Sequence, residues 1–79
     1  MKIRVDVMLK QGVLDPQGKA IAHALQAMGF DGVTDARAGK VIELDVEDAD
    51  PASAVVKAEA MAQKLLANLV IEDYRISVA

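Results

Sequence analysis

The sequence predicts an α+β domain: a two-layer α/β sandwich with an antiparallel sheet, formed by one domain over residues 1–79. Three observations predict it. Stretches of strict two-residue alternation stand at both ends and in the middle of the chain. Two longer stretches between them carry helical spacing. Each of these opens on the same device, Asp-Pro, at Asp15-Pro16 and Asp50-Pro51, with the aspartate as N-cap and the proline at the first helical position.

In order along the chain, residues 2–10 alternate Ile3, Val5, Val7 and Leu9 with Arg4, Asp6, Met8 and Lys10, a strand with one apolar face. Gln11-Gly12-Val13-Leu14 connects to a helix over 16–28. Ile21, Ala24, Leu25 and Met28 form its apolar stripe, and Gly29 suits a left-handed C-terminal cap. Phe30 is expected to fold back under the helix end. Residues 33–38 read as a weak strand, since Ala36 and Ala38 are poor strand formers. Ala38-Gly39-Lys40 reads as a hairpin turn.

The strand over 41–47 turns Ile42, Leu44 and Val46 inward and Glu43, Asp45 and Glu47 outward. A second helix spans 51–67, with Val55, Ala58, Met61, Ala62, Leu65, Leu66 and Leu69 as a wide stripe. Tyr74, Ile76 and Val78 mark a last strand over 72–78. The expected order is β-α-β-β-α-β with both helices on one face, which makes a ferredoxin-like arrangement possible.

Composition restricts function. So short a chain buries only about 60% of the surface that its unfolded form exposes, and usually needs a disulfide, a metal or a partner. It has no cysteine, and its one histidine cannot build a zinc site alone. Association is the remaining means. Counting glycine, about 58% of residues are apolar, against about 45–50% in typical domains. With 14 alanines this excess is thin in bulk, yet some of it should face a partner. Nine basic against 12 acidic residues, net −3, favours neither nucleic acid nor an anionic membrane. No apolar run is long enough to span a bilayer and no signal peptide opens the chain, so a cytoplasmic location is expected.

Catalytic chemistry finds no residue set. The acidic run Glu43, Asp45, Glu47, Asp48 and Asp50 lies mostly on the solvent side of a strand. His23 sits off the helix stripe, and Ser53 and Ser77 have no base to activate them. Gly12, Gly18, Gly29, Gly32 and Gly39 match no phosphate-binding loop. Gln11-Gly12-Val13 resembles part of the acylphosphatase loop but lacks the arginine that follows there. An RNA-recognition domain needs stacking aromatics on its central strands, and Phe30 and Tyr74 fall elsewhere. Gly18, in the first turn of a helix, has no turn or cap explanation; close approach of another backbone would supply one.

Four segments together carry a family resemblance: Gln11 to Ala20, Met28-Gly29-Phe30, Arg37 to Leu44, and Leu65 to Tyr74. In this order and spacing the chain resembles PurS, the small subunit of phosphoribosylformylglycinamidine synthase. It departs at Leu69, where the family often has proline. The resemblance implies an accessory role in purine biosynthesis. A large synthetase subunit would hold ATP and magnesium, a glutaminase subunit would release ammonia from glutamine, and this chain would bridge them without a cofactor of its own. It implies a bridging dimer, and the apolar surplus and small size of the chain lead to the expectation of a homodimer or a dimer of dimers.

Partner-facing residues are expected in the connectors: Gly12, Asp15, Pro16, Gln17 and Gly18 before and within the first helical turn, and Arg37, Gly39 and Lys40 before the middle strand. Arg37 and Lys40 are cations in an acidic chain and suit carboxylates on a partner. An alternative from another class is an ACT-like module that binds a small molecule between protomers.

Overall fold

The computed structural model describes all 79 residues. Three strands form an antiparallel sheet: β1 (Lys2–Leu9), β2 (Gly39–Asp45) and β3 (Glu72–Val78). Two helices, α1 (Pro16–Ala27) and α2 (Pro51–Met61), connect them, and α2 continues into a π-helical turn, Ala62–Leu66. The sheet order is β2-β1-β3, which is a ferredoxin-like sheet without one edge strand.

Alternation sets the register. Val5 lies between Ile42 and Ile76, and Ile3 between Leu44 and Val78. Ile3, Val5 and Val7 are fully buried, while Arg4 and Met8 on the same strand are exposed. A slip of one residue would turn this whole set to solvent. The expected facing of Ile42, Leu44 and Val46 and of Glu43, Asp45 and Glu47 is the observed one. The strand ends are tied by Met1 and Val46, which bond each other's backbone at 2.9 Å, and by the Ala79 amide on the Lys2 carbonyl.

One face of this sheet is covered by α2 alone. Ala54, Ala58 and Ala62 recur every four residues and are fully buried against Ile3, Val5 and Val7. Alanine has no bulk beyond Cβ, so the helix backbone lies close to the sheet. This corrects the wide stripe expected for the second helix: Val55 and Leu66 are half-buried, but Met61, Leu65 and Leu69 face outward. The π-turn is the cause past Ala62. The Ala67 amide reaches back five residues to the Ala62 carbonyl, at 3.0 Å. That extra residue puts Leu66 and Ala67 inward and leaves Leu65 84% exposed.

The first helix departs further from expectation. Its ends are as read: Asp15 caps the start, and a Schellman closure ends it. Gly29 takes φ +96°, its amide donates to Gln26, and the Phe30 amide donates to Leu25. The Phe30 backbone folds back, but its side chain is 55% exposed. The stripe is not buried either, with Ile21, Ala24 and Met28 exposed and Leu25 half-buried. Gly18 and Ala22 are the buried residues of α1, and neither joins the hydrophobic cluster packed on the sheet.

Helix α1 therefore projects as an arm, and only α2 lies on the sheet. The molecule measures 48 × 24 × 14 Å, and its Cα radius of gyration is 15.9 Å, against about 12 Å for a compact chain of this length.

The strand expected over 33–38 does not form. Its backbone groups are bonded elsewhere: the Val33 carbonyl accepts from Gln26 Nε2, the Ala36 amide donates to Asp35, and the Ala38 amide donates to Asp15. Gly39 is accordingly the first residue of β2 rather than a hairpin turn. With no fourth strand, β2 and β3 are both edges of the sheet.

Asp48, just before α2, gives the fold an acid-sensitive contact. Its carboxylate accepts from the Asp50 amide, and from Ser53 and Lys57, and its pKa is held down to about 2. A depressed folded-state pKa adds stability above the ordinary carboxylate range, and that stability is lost as pH falls through the range toward 2. Asp48→Asn is expected to lower the melting temperature near neutral pH and to converge with the parent at the acid end. A constant difference at every pH would refute this role.

Candidate partner-docking site

The residues expected at a partner interface gather around one carboxylate. Gly12, at φ +84°, turns the connector after β1. The chain then reaches Asp15, whose two oxygens serve different segments. Oδ1 accepts from the Gly18 amide inside α1, and Oδ2 accepts from the Ala38 amide before β2, both at 2.8 Å. Gly18 and Ala38, with a smaller contribution from the Arg37 charge, hold the Asp15 carboxyl below its ordinary pKa.

Gly18 is the point of closest approach. A Cβ there would run into the Ala36 carbonyl oxygen and lie 2.8 Å from Asp15 Oδ2. The close backbone approach foreseen for this glycine is thus present, and its neighbour is residue 36. Arg37 Nη2 donates to the carbonyls of Leu9 and Lys10, where β1 ends. Three stretches meet here: the end of β1, the first turn of α1 and the segment leading to β2.

Two shallow clefts flank Asp15. One is lined by Gly12, Asp15, Lys19, Asp35 and Arg37 among others. The second is lined by Asp15, Pro16, Gln17, Gly39 and Lys40, with Val7 and Leu9 as an apolar floor. All eight residues expected at the site are therefore neighbours in space. They do not play one part. Gly18 is buried, the polar groups of Asp15 and Arg37 are bonded within the chain, and Gly39 lies against the Val7 carbonyl with no room for a Cβ. Gly12, Gln17 and Lys40 are exposed, and Lys40 forms no ion pair.

Lys19 and Asp35 were not foreseen at this site. Their signal was available only as charge in the sequence neighbourhood of Pro16 and Arg37. The outward patch of Leu65, Leu69 and Val70 was also missed, because nothing in the residue pattern announces a π-turn.

The arrangement offers surfaces rather than reactive groups. His23 is exposed on α1, Ser53 lies in the first turn of α2 and Ser77 lies on β3. Glu43, Asp45 and Glu47 point to solvent, and no cluster of three or more histidine and carboxylate groups could hold a metal ion. No helix is long and apolar enough to cross a membrane.

Comparison with known proteins identifies the scaffold. Residues 2–79 match the sequence model of the PurS family, described as phosphoribosylformylglycinamidine (FGAM) synthase. The chain is 52% identical over 77 residues to the phosphoribosylformylglycinamidine synthase subunit PurS of Bacillus subtilis, covering 98% of this chain and 90% of that one. It is 40% identical to the PurS subunit of Methanocaldococcus jannaschii over 98% of its own length and 93% of the relative's.

The structure of B. subtilis PurS superposes with a TM-score of 0.86, at 50% identity over 99% of this chain and 96% of that one. A chain from the PurLQS structure of Thermotoga maritima superposes with a TM-score of 0.87, at 32% identity over 96% and 93% of the two chains. With near-complete coverage in sequence and in structure, the chain belongs to the PurS family of phosphoribosylformylglycinamidine synthase subunits.

Proposed function

We propose that this chain acts in the cytoplasm as the non-catalytic subunit that bridges the synthetase and glutaminase subunits of phosphoribosylformylglycinamidine synthase, in purine biosynthesis. The observation that carries this reading is the α1 arm. It holds Ile21, Met28 and Phe30 out to solvent, and none of its residues joins the hydrophobic cluster on the sheet. An apolar arm of this kind suits burial by another subunit. The T. maritima relative, from a PurLQS assembly, supports the same reading.

ATP, magnesium and glutamine belong to the partner subunits in this scheme. This chain contributes shape and register. Two copies form a homodimer, alone or within a dimer of dimers, in which exposed stripes and sheet edges find self-complementary cover. The clefts beside Asp15 meet the catalytic partners through Gly12, Pro16, Gln17 and Lys40, with Asp15, Gly18, Arg37 and Gly39 shaping them. The ACT-like ligand-sensing alternative has no comparable support.

Lys40→Glu tests the docking surface, because Lys40 is exposed and unpaired. The variant is expected to fold and dimerise as the parent does but to weaken co-sedimentation with synthetase and glutaminase by about tenfold or more, since reversed charge opposes carboxylates across an interface. Unchanged assembly would remove this cleft from the interface. Sedimentation at micromolar concentration showing only an 8.4 kDa species would refute the homodimer.

A further inference from the structure

The arm needs a device that holds its angle. Ala22 is the one buried apolar side chain of α1 and lies outside the cluster on the sheet, so packing on the sheet does not orient the helix. What joins it to the sheet is polar and local. Asp15 grips the first turn of α1 through Gly18 and the segment before β2 through Ala38. Arg37, adjacent to Ala38, grips the last carbonyls of β1. Gly18 lets the helix backbone sit directly on the Ala36 carbonyl, closing the gap that any side chain would open. Gln26 adds a second tie near the far end of α1, on the Val33 carbonyl at 2.8 Å.

We propose that Asp15 and Arg37 form a latch that sets the angle between the α1 arm and the sheet, so that the arm is presented to other subunits in a single orientation. Both are positioning residues. Their polar atoms are spent inside the chain, and their effect on assembly passes through α1. The matching aspartate of α2 supplies the contrast: Asp50 caps Ala52 of its own helix at 3.3 Å and ties no other segment. Asp15 carries the cap and the cross-tie together. A charged carboxylate bonded by two amides is stronger than a neutral acceptor, which suits a joint with little apolar support.

The chain has no cysteine, so spin labels can be placed without background. Nitroxides at His23→Cys on the arm and Arg75→Cys on β3 occupy exposed positions, and labelled chain is diluted into excess unlabelled chain so that one distance is read within each dimer. The parent is expected to give one narrow distance distribution. Asp15→Ser keeps a cap for Gly18 but is too short to serve Ala38 as well, and it should broaden that distribution. Arg37→Ala should broaden it too, and the double variant should be no broader than the worse single, because one latch is opened in either way.

Amide exchange at Ala38 should speed up by about tenfold or more in Asp15→Ser while Val5 in the core keeps its protection. Asp50→Ser should leave the distance unchanged. If Asp15→Ser loses the protection of Val5, Asp15→Asn, which retains a cap oxygen of the same reach, is read in its place by the same two measurements. A distribution as narrow in both latch variants as in the parent would overturn the proposal, as would unchanged exchange at Ala38. These readouts need no partner subunit, so their outcome is separate from that of the bridging role.

Discussion

Reconstituted with its synthetase and glutaminase partners, this chain is expected to be required for glutamine-driven turnover and much less so for ammonia-driven turnover. The reason lies in what a bridge does. Ammonia leaving the glutaminase is protonated and diluted in water unless it reaches the second site through a sheltered route. Holding the two enzymes together raises the effective concentration of that intermediate, an advantage lost entirely when the geometry is lost. Ammonia supplied in excess bypasses the hand-over.

Leaving the chain out should thus lower the glutamine-driven rate by well over about tenfold and preserve a substantial part of the ammonia-driven rate, since effective concentrations of tethered components reach the millimolar range. Rates with each nitrogen source, with and without the chain, decide the matter. Equal glutamine-dependent rates in both mixtures would refute the bridge. Amide transfer or ATP hydrolysis by the chain alone would refute its non-catalytic character.

The second large effect is on folding. Ile3→Ala should destabilise the protein by about 2–5 kcal/mol, because the removed atoms leave a cavity beneath α2. Ile3 is fully buried between Leu44 and Val78 and against the alanine face of α2. Domains hold only about 0.05–0.15 kcal/mol per residue, so this loss approaches the whole stability of so small a chain. The core is thin: its three large fully buried side chains are Ile3, Val5 and Val7. Little can collapse to fill a gap there.

Leu65→Ala offers the contrast. Leu65 is 84% exposed, and its loss should leave the unfolding midpoint of dilute protein nearly unchanged. Denaturant titration at fixed protein concentration checks both, since association itself stabilises a folded protomer. An Ile3→Ala midpoint equal to that of the parent would mean that the core has been misplaced.

Periodicity and caps determined much of this protein by themselves. The alternation of Ile3, Val5 and Val7 against Arg4 and Met8 was legible because a strand's side chains change face at every residue, whatever its neighbours are. Both helix starts were legible because Asp-Pro is a local device that satisfies helix amides within a few residues. Gly29 was legible for the same kind of reason. So was the grouping of segments that marks the PurS family, which needs only the order of residues.

Tertiary structure decided the rest, wherever the outcome depended on competition between distant groups. Residues 33–38 had weak strand propensity, and hydrogen bonds from Gln26 and to Asp15 took backbone groups that a strand partner would have needed. The α1 stripe had ordinary helical spacing, yet spacing says only that a face seeks cover and not which surface supplies it. Here α2 covers the one occupied face of the sheet through its alanines, and α1 adds no residue to the cluster there. Sequence named Asp15, Gly18 and Arg37 among the residues expected to face a partner. Only the folded chain brings Ala36 against Gly18 and the end of β1 under Arg37, because those contacts join segments roughly twenty to thirty residues apart, whose meeting no local pattern encodes.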